Sequence, residues 1–136
     1  DYATHAKKGS MYNTPPCYPI YIAGEVFKYL LKNGGVKATH ERDVEKANLL
    51  YGYLDKSEMF KPSVAKEDRS LMNITFVTGD PELDKKFIAG AKEQGMINLA
   101  GYRTVGGMRA STYNAMPLEG VKALVAYMEK FENENK

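Results

Sequence analysis

Two arginines, Arg103 and Arg109, lie on either side of the glycine pair Gly106–Gly107. A guanidinium group can hold a carboxylate or a phosphate through two parallel hydrogen bonds, and neighbouring glycines let a small ligand come close to the backbone. This segment is therefore a candidate anion site. The residue types by themselves favour the alternative, in which both arginines are solvated strand residues that make weak surface ion pairs.

A second polar candidate is the pair Asn13 and Thr14, which comes directly before Pro15 and Pro16. Each proline fixes its own backbone and pushes the preceding residue toward extended geometry, so this stretch is predicted to be a stiff loop rather than a helix. A polar pair in such a position caps a turn more often than it binds a ligand. Both interpretations remain open on these residues alone.

Other chemistries find little support in the sequence. His5, His40 and Cys17 have no partners at metal-ligand spacing, so no metal site is predicted. The chain also lacks a glycine-rich dinucleotide motif, a phosphate-binding P-loop and a nucleophile elbow. These absences argue against dinucleotide binding, nucleotide hydrolysis and serine-hydrolase chemistry.

Composition and charge restrict the possible partners. Hydrophobic residues make up 43% and charged residues 26%, which is typical of a globular protein. Lys and Arg total 19 against 17 Asp and Glu, and the two signs are interspersed, so no nucleic-acid partner is expected. The most apolar stretch, residues 20–31, is too short to span a bilayer, so no membrane partner is expected either. The single cysteine, Cys17, fits a reducing compartment and favours the cytoplasm.

Hydrophobic periodicity predicts two helices in the first half of the chain. Residues 1–10 look polar and non-periodic, and with Asp1 as the first residue they suggest a fragment or a processed chain. An amphipathic helix is predicted from Pro19 to Asn33. A second helix is predicted from Thr39, as N-cap, to Leu54, with its charged face in solvent.

The second half alternates strand and helix signals. The predicted elements are a strand at residues 72–77 with residues 60–64 as a candidate partner, a helix from Asp80–Pro81 to Gly95, a short strand at residues 96–99, an extended segment at residues 104–112, and a last helix from Pro117 with a frayed tail at residues 132–136. The pair Gly106–Gly107 within the extended segment suggests a bulge or a close backbone approach. This order predicts an α+β fold, with a small mixed or antiparallel sheet covered by helices.

The segments Met11–Pro16 and Gly106–Val121 resemble the phosphoserine aminotransferases, and Glu67–Asn73 and Lys85–Phe87 fall between them in that family's order. The family consists of fold-type I, pyridoxal-phosphate-dependent homodimers. They interconvert glutamate and 3-phosphohydroxypyruvate with 2-oxoglutarate and phosphoserine. The resemblance implies that residues 1–18 lead in from a large cofactor-binding domain and that residues 19–136 form the C-terminal small domain.

The same resemblance implies roles for individual residues. Asn13 and Thr14 would contact the phosphate of pyridoxal phosphate in the partner subunit. Arg109 would bind the substrate α-carboxylate, and Arg103, with Tyr102 beside it, would lie near the distal anionic group of the substrate.

Two departures from the family pattern qualify this assignment. Tyr102 stands where the family often has histidine. A phenol can donate a hydrogen bond to the distal anion but adds no positive charge there, so binding of that anion is expected to differ. No lysine of this chain matches the Schiff-base motif, so no catalytic residue is assigned and the chain alone is expected to be inactive. The alternatives are a stand-alone α+β module that binds a small metabolite, and a related fold-type I aminotransferase with a different substrate.

Overall fold

A computed structural model describes all 136 residues, which form two compact units, Asp1–Thr39 and His40–Lys136. The first unit contains helices α1 (Tyr2–Ala6) and α2 (Cys17–Lys32), and helix α3 (Gly35–Leu54) begins in it. None of the helices combines the length and apolar character that crossing a bilayer requires.

Helix α1 lies in the polar opening segment, which shows no helical periodicity. The carboxylate of Asp1 caps it by accepting a hydrogen bond from the backbone N–H of Ala3 at 2.9 Å. Such a cap satisfies one of the backbone donors that the first turn leaves unpaired, which is enough to start a single turn without an apolar face. A short capped helix of this kind has no periodic signal to detect.

Helix α2 confirms the helix predicted between Pro19 and Asn33, but its apolar residues do not enter a core, since none of them is buried. Its only charged pair is Glu25–Lys28, with 2.7 Å between carboxylate and ammonium. The predicted apolar face is largely uncovered, and only Ala23 and Leu30 of its residues are partly buried. The exposed large apolar side chains of the helix are Tyr18, Ile20, Tyr21, Ile22, Val26, Phe27, Tyr29 and Leu31.

Helix α3 begins four residues before the predicted N-cap. Gly34 and Gly35 have φ of +90° and +69°, and this left-handed backbone provides the break after α2. Thr39 is therefore inside the helix rather than at its cap, and its hydroxyl donates to the Gly35 carbonyl at 3.0 Å. The predicted apolar face is confirmed farther along, where the buried residues are Ala47, Leu50, Tyr51 and Leu54.

The second unit is built on an antiparallel sheet of three strands, β1 (Lys61–Pro62), β2 (Asn73–Val77) and β3 (Met108–Ser111), in the order β1-β2-β3. A single 3₁₀ turn, Lys66–Asp68, lies between the first two strands. The predicted pairing of residues 60–64 with the strand at residues 72–77 is confirmed. The α+β fold class is also confirmed, and the sheet is antiparallel rather than mixed.

Helix α4 (Pro81–Glu93) begins where the sequence predicts. The Asp80 carboxylate accepts a hydrogen bond from the Glu82 N–H at 2.8 Å, and Pro81 occupies the first helical position, where no backbone donor is needed. The chain turns away at Gly95, whose φ is +81°. This boundary was predictable because its determinants are local.

One predicted strand is wrong and another predicted extended segment is confirmed only in its second half. Residues 96–99 form no strand, because Asn98 has a left-handed φ of +63° that interrupts extended backbone, and only an isolated bridge joins Ala100 to Met108. Of the extended segment predicted at residues 104–112, residues 108–111 form β3, whereas residues 104–107 form a turn that ends with the positive φ of Gly106 and Gly107.

Helix α5 (Leu118–Glu134) follows Pro117, as predicted, but does not fray at residue 132. The carboxylate of Glu132 is buried and accepts hydrogen bonds from the hydroxyls of Tyr53 and Ser57, both at 2.6 Å. It also accepts from the backbone N–H groups of Glu58 and Met59 at 3.0 and 3.3 Å. The last turn of α5 is therefore fastened to the loop after α3.

The core of the second unit is a cluster of aromatic rings contributed by strands and helices. Phe60 and Phe87 lie 5.0 Å apart between centroids, and Phe87 and Phe131 lie 5.2 Å apart, both in edge-on arrangements. The Tyr127 hydroxyl donates to the Phe87 carbonyl at 3.0 Å. Burial of each phenylalanine stabilises the fold by roughly 1.5–3 kcal/mol, so this cluster holds β2, α4 and α5 together.

Candidate functional site

Strand β3 sets the direction of Arg109. Met108 and Ala110 are buried in the core, so Arg109 and Ser111 face the other side, where both are half-buried. The backbone N–H of Arg109 donates to the Leu99 carbonyl at 2.8 Å. The alternation of side chains along the strand thus takes this arginine out of the apolar core.

A cavity of about 690 Å³ adjoins Arg109, within the size range of small-molecule sites. Its walls come from the segment after α4, the end of β3, the turn before α5 and the first half of α5. The lining residues are Gly95–Ala100, Arg109–Tyr113, Met116, Gly120, Val121, Ala123 and Leu124. Arg109 is the only charged residue among them, so the cavity has an apolar wall and one cationic group.

The guanidinium of Arg109 has an unused hydrogen-bond donor. Its Nε atom is buried and has no hydrogen-bond partner in the structure. A buried donor without a partner costs about 1–3 kcal/mol, and a guanidinium has no acceptor capacity of its own. A carboxylate or phosphate in the cavity would supply the missing acceptor and neutralise the charge, so the site can bind a small anion.

The glycines of this segment allow a close approach of backbone to backbone. A Cβ at Gly107 would lie 2.6 Å from Val77 Cγ1 and 3.0 Å from the Phe76 carbonyl oxygen. A Cβ at Gly101 would overlap the carbonyl oxygen of Gly106. The expected close approach is confirmed, and here the neighbour is the chain itself.

Tyr102 and Arg103 lie in the exposed turn between Gly101 and Gly106, and Tyr102 is 57% exposed. The carbonyl of Tyr102 closes the turn by accepting from the N–H groups of Val105 and Gly106 at 2.9 and 2.8 Å. Neither side chain lines the cavity beside Arg109. Their role at a distal anion remains a prediction.

Asn13 and Thr14 lie in the first unit, between α1 and α2, and both are exposed. An amide and a hydroxyl are neutral donors that suit a phosphate group without adding a bulky cation. The residues present thus fit the phosphate of a cofactor, while their assignment to it remains a prediction.

The sequence analysis missed several residues of the cavity wall and one buried ion pair. Ile97, Met116 and Tyr113 gave no signal, because apolar and aromatic residues in irregular segments look like ordinary core. The charged face of α3 was expected to be solvated, but Asp43 and Lys46 are only 3% and 2% exposed. The prediction holds for the other charged residues of α3, which are exposed, and is wrong for this pair, because acceptors from a distant part of the chain contact Lys46.

The sequence profile of the class-V aminotransferases matches residues 1–124 of this chain. The chain belongs to the class-V aminotransferase family. The phosphoserine aminotransferase of Pseudoalteromonas translucida is 53% identical over 135 residues, which are 99% of this chain and 38% of that protein. The phosphoserine aminotransferase of Paraburkholderia phytofirmans is 54% identical over 132 residues, 97% of this chain and 37% of that protein.

Solved structures of class-V relatives agree with this assignment. The phosphoserine aminotransferase from Bacillus circulans subsp. alkalophilus has a TM-score of 0.92 at 40% identity, over 99% of this chain and 38% of that one. A pyridoxal-phosphate-bound phosphoserine aminotransferase from Trichomonas vaginalis has a TM-score of 0.85 at 38% identity, over 95% of this chain and 37% of that one. The class-V chain described here thus spans about 38% of the length of the curated relatives it matches.

Proposed function

We propose that this chain is the C-terminal part of a phosphoserine aminotransferase, which transfers an amino group between glutamate and 3-phosphohydroxypyruvate in serine biosynthesis. The observation that carries the proposal is the position of Arg109, the only charged residue of an otherwise uncharged cavity, with a buried Nε that lacks a partner. Both products and both substrates of this reaction are anions, which such a group would bind.

In this proposal residues 1–18 lead in from the large cofactor-binding domain and residues 19–136 are the small domain. The full-length enzyme is a homodimer in the cytoplasm, and Asn13 and Thr14 hold the phosphate of pyridoxal phosphate in the partner subunit. Their exposure supports this role, since a donor must be accessible to reach another subunit. The single, exposed Cys17 is in keeping with a reducing compartment.

Arg109 binds the α-carboxylate that all the amino-acid and oxo-acid substrates share. A carboxylate held through two hydrogen bonds fixes the orientation of the Cα–H bond that is broken. The entropic cost of orienting the substrate is then met by binding, before the chemical step. The side chains of Ile97, Met116 and Leu124 form an apolar wall beside this charge. Pyridoxal phosphate, when bound, supplies the electron sink for the reaction.

Arg103 and Tyr102 are assigned to the distal end of the substrate, where glutamate carries a γ-carboxylate and phosphoserine a phosphate. Their exposed turn leaves the guanidinium and the phenol accessible. The 136 residues contain no match to the lysine motif that holds the cofactor, so the chain alone is proposed to be inactive.

The experiment that tests this function replaces Arg109 by alanine in the full-length enzyme and measures the two half-reactions separately. We expect the kcat/KM for glutamate and for phosphoserine to fall together, each by about 30-fold or more, because loss of a charge-assisted pair costs roughly 2–5 kcal/mol. Both substrates carry the same α-carboxylate, so neither should be spared.

The matched control is Lys130→Ala, which removes an exposed cation from the second half of α5, beyond the last cavity residue, Leu124. Its kinetics should equal those of the unaltered enzyme. Unchanged turnover of either substrate by the Arg109→Ala enzyme would refute the assignment of the α-carboxylate to Arg109.

A further inference from the structure

Lys46 lies on α3, buried beside Asp43 one turn earlier in the helix. Its Nζ is 3.0 Å from Oδ1 of Asp43, and the two side chains are only 3% and 5% exposed. Burial of a lone ammonium would be very costly, so the carboxylate is needed to keep it charged in this position. The pair is electrically neutral as a unit.

Two hydrogen-bond acceptors come from the other end of the unit. Nζ of Lys46 donates to the carbonyl of Thr112 at 3.2 Å and to the carbonyl of Tyr113 at 2.9 Å. The Asp43 carboxylate completes the surroundings of the ammonium as an ion-pair partner rather than as a hydrogen-bond acceptor.

These two carbonyls lie at the end of the strand ladder. The register of β2 with β3 ends at the pair Asn73 and Ser111, and one further backbone bond runs from the Thr112 N–H to the Met72 carbonyl at 2.8 Å. The carbonyls of Thr112 and Tyr113 accept from Lys46, which is 66 and 67 residues away along the chain. It connects α3 to the exit of the strand that carries Arg109.

The anchored turn forms part of the cavity wall. The carbonyl of Tyr113 also accepts a hydrogen bond from the Met116 N–H at 2.8 Å, which closes the turn before α5. Met116 lies so close to Gly120 that a Cβ there would be 2.6 Å from its sulfur. Tyr113 and Met116 both line the cavity beside Arg109, so the contact of Lys46 sets the position of that wall.

We propose that Lys46 is a positioning residue: through the carbonyls of Thr112 and Tyr113 it holds the turn at residues 113–116 against the ligand bound by Arg109. Because Asp43 neutralises it, Lys46 acts by geometry and adds no net charge to the cavity. This role of Lys46 rests on the proposed function only in the choice of ligand, which is an amino acid whose α-carboxylate Arg109 binds.

The test is Lys46→Met in the full-length enzyme, with Lys85→Met as matched control. Lys85 also pairs with a carboxylate three residues earlier in its helix, at 2.7 Å from Glu82, but it is exposed. Amide hydrogen exchange over residues 108–116 and the kinetics of the glutamate half-reaction are measured for both. We expect exchange about tenfold faster in that segment, KM for glutamate raised about tenfold and kcat changed less than threefold for Lys46→Met, because ground-state positioning affects binding first. The control should change neither.

The double variant Asp43→Asn/Lys46→Met guards against a failure to fold, since it removes the unpaired buried carboxylate along with the ammonium. It should show the same rise in KM. Unchanged exchange at residues 108–116, or faster exchange with a KM equal to that of the control, would overturn the proposal. Absence of amino transfer by the unaltered enzyme would count against the proposed function. In that case the role of Lys46 would be decided by comparing amide exchange at residues 108–116, and the calorimetric affinity for glutarate, between the unaltered enzyme and the Lys46→Met variant.

Discussion

The guanidinium of Arg109 gives the cavity one positive charge on a planar fork of donors. A lysine in its place would give one point charge instead of a planar fork, and would lose the geometric match to a carboxylate. The buried Nε is the atom that distinguishes the two residues here. The position thus favours arginine for its shape as well as for its charge.

Gly107 offers a residue-scale test of the backbone that precedes Arg109. Alanine at this position would place its Cβ 2.6 Å from Val77 Cγ1 in a backbone conformation with φ of +65°. We expect Gly107→Ala to lower the free energy of unfolding by about 2 kcal/mol or more, because left-handed strain and a steric clash add. Chemical denaturation followed by circular dichroism measures it.

Gly106→Ala is the control for strain alone. Gly106 has a φ of +77°, but a Cβ there would meet nothing within 4 Å. Its cost should stay near 1 kcal/mol, the cost of left-handed backbone alone. Equal losses in the two variants would mean that the contact with Val77 does not matter.

At the scale of an element, the end of α5 depends on one carboxylate. Burial by itself would raise the pKa of Glu132, but the hydrogen bonds from Ser57, Tyr53 and the N–H groups of Glu58 and Met59 outweigh it and lower that pKa to about 2. Burial, together with the hydrogen bond to Glu132, raises the pKa of the Tyr53 hydroxyl well above its usual range. Both shifts favour a charged glutamate beside a neutral phenol.

This arrangement predicts a specific acid dependence of stability. Because the folded pKa of Glu132 lies below the ordinary value of 4.5, its stabilising contribution is fully present above pH 4.5 and is lost as the pH falls toward 2. We expect Glu132→Gln to lower the free energy of unfolding at pH 7 by about 1–3 kcal/mol, the cost of leaving buried donors poorly paired. The difference from the unaltered chain should shrink below pH 4.5, as denaturation at several pH values would measure.

Glu129→Gln is the matched control, because Glu129 lies one turn earlier on α5 and is exposed. Its denaturation midpoints should follow those of the unaltered chain at every pH. A Glu132→Gln chain with the same acid dependence as the unaltered one would show that the buried carboxylate is not the group responsible.

Local signals and distant contacts explain which elements the sequence could predict. The start of α4 was predictable because Asp80 and Pro81 determine it within three residues. Strand β2 was predictable from the alternation of residues 72–77, and residues 60–64 were its candidate partner. The strand expected at residues 96–99 failed because the left-handed backbone of Asn98 has no signature in the sequence. The burial of Lys46 was not predictable, because its acceptors come from more than 60 residues away along the chain.

For the candidate site, the residue type of Arg109 and its resemblance to a family motif were sufficient to select it. The cavity that surrounds it was not predictable, since its wall combines three separate irregular or helical segments. Arg103 lies only six residues from Arg109 in the sequence, yet it does not line the cavity beside Arg109. Spacing in the sequence does not determine which side chains share a cavity.

At the scale of the whole molecule, the two units differ in how they are stabilised. The second unit has a continuous apolar core, from Ala47 on α3 to Phe131 on α5, whereas the first contains no fully enclosed apolar side chain in α1 or α2. Most of the free energy of folding must therefore come from residues 40–136. Local opening of α2 should require less energy than opening of the core.

The uncovered apolar side chains of α2 should make the chain bind a hydrophobic fluorescent dye. Patches of this kind bind anilinonaphthalene sulfonate, whose fluorescence rises in an apolar environment. We expect the 136-residue chain to enhance the dye strongly, and the double variant Ile20→Lys/Phe27→Lys to lose about half of that enhancement because it divides the patch. Val105→Lys, which changes a side chain that is 77% exposed in the turn before β3, should leave the fluorescence unchanged. Dye emission that is equal in all three chains would place the apolar patch elsewhere, whereas the expected loss would make dye titration a simple assay for anything that covers α2.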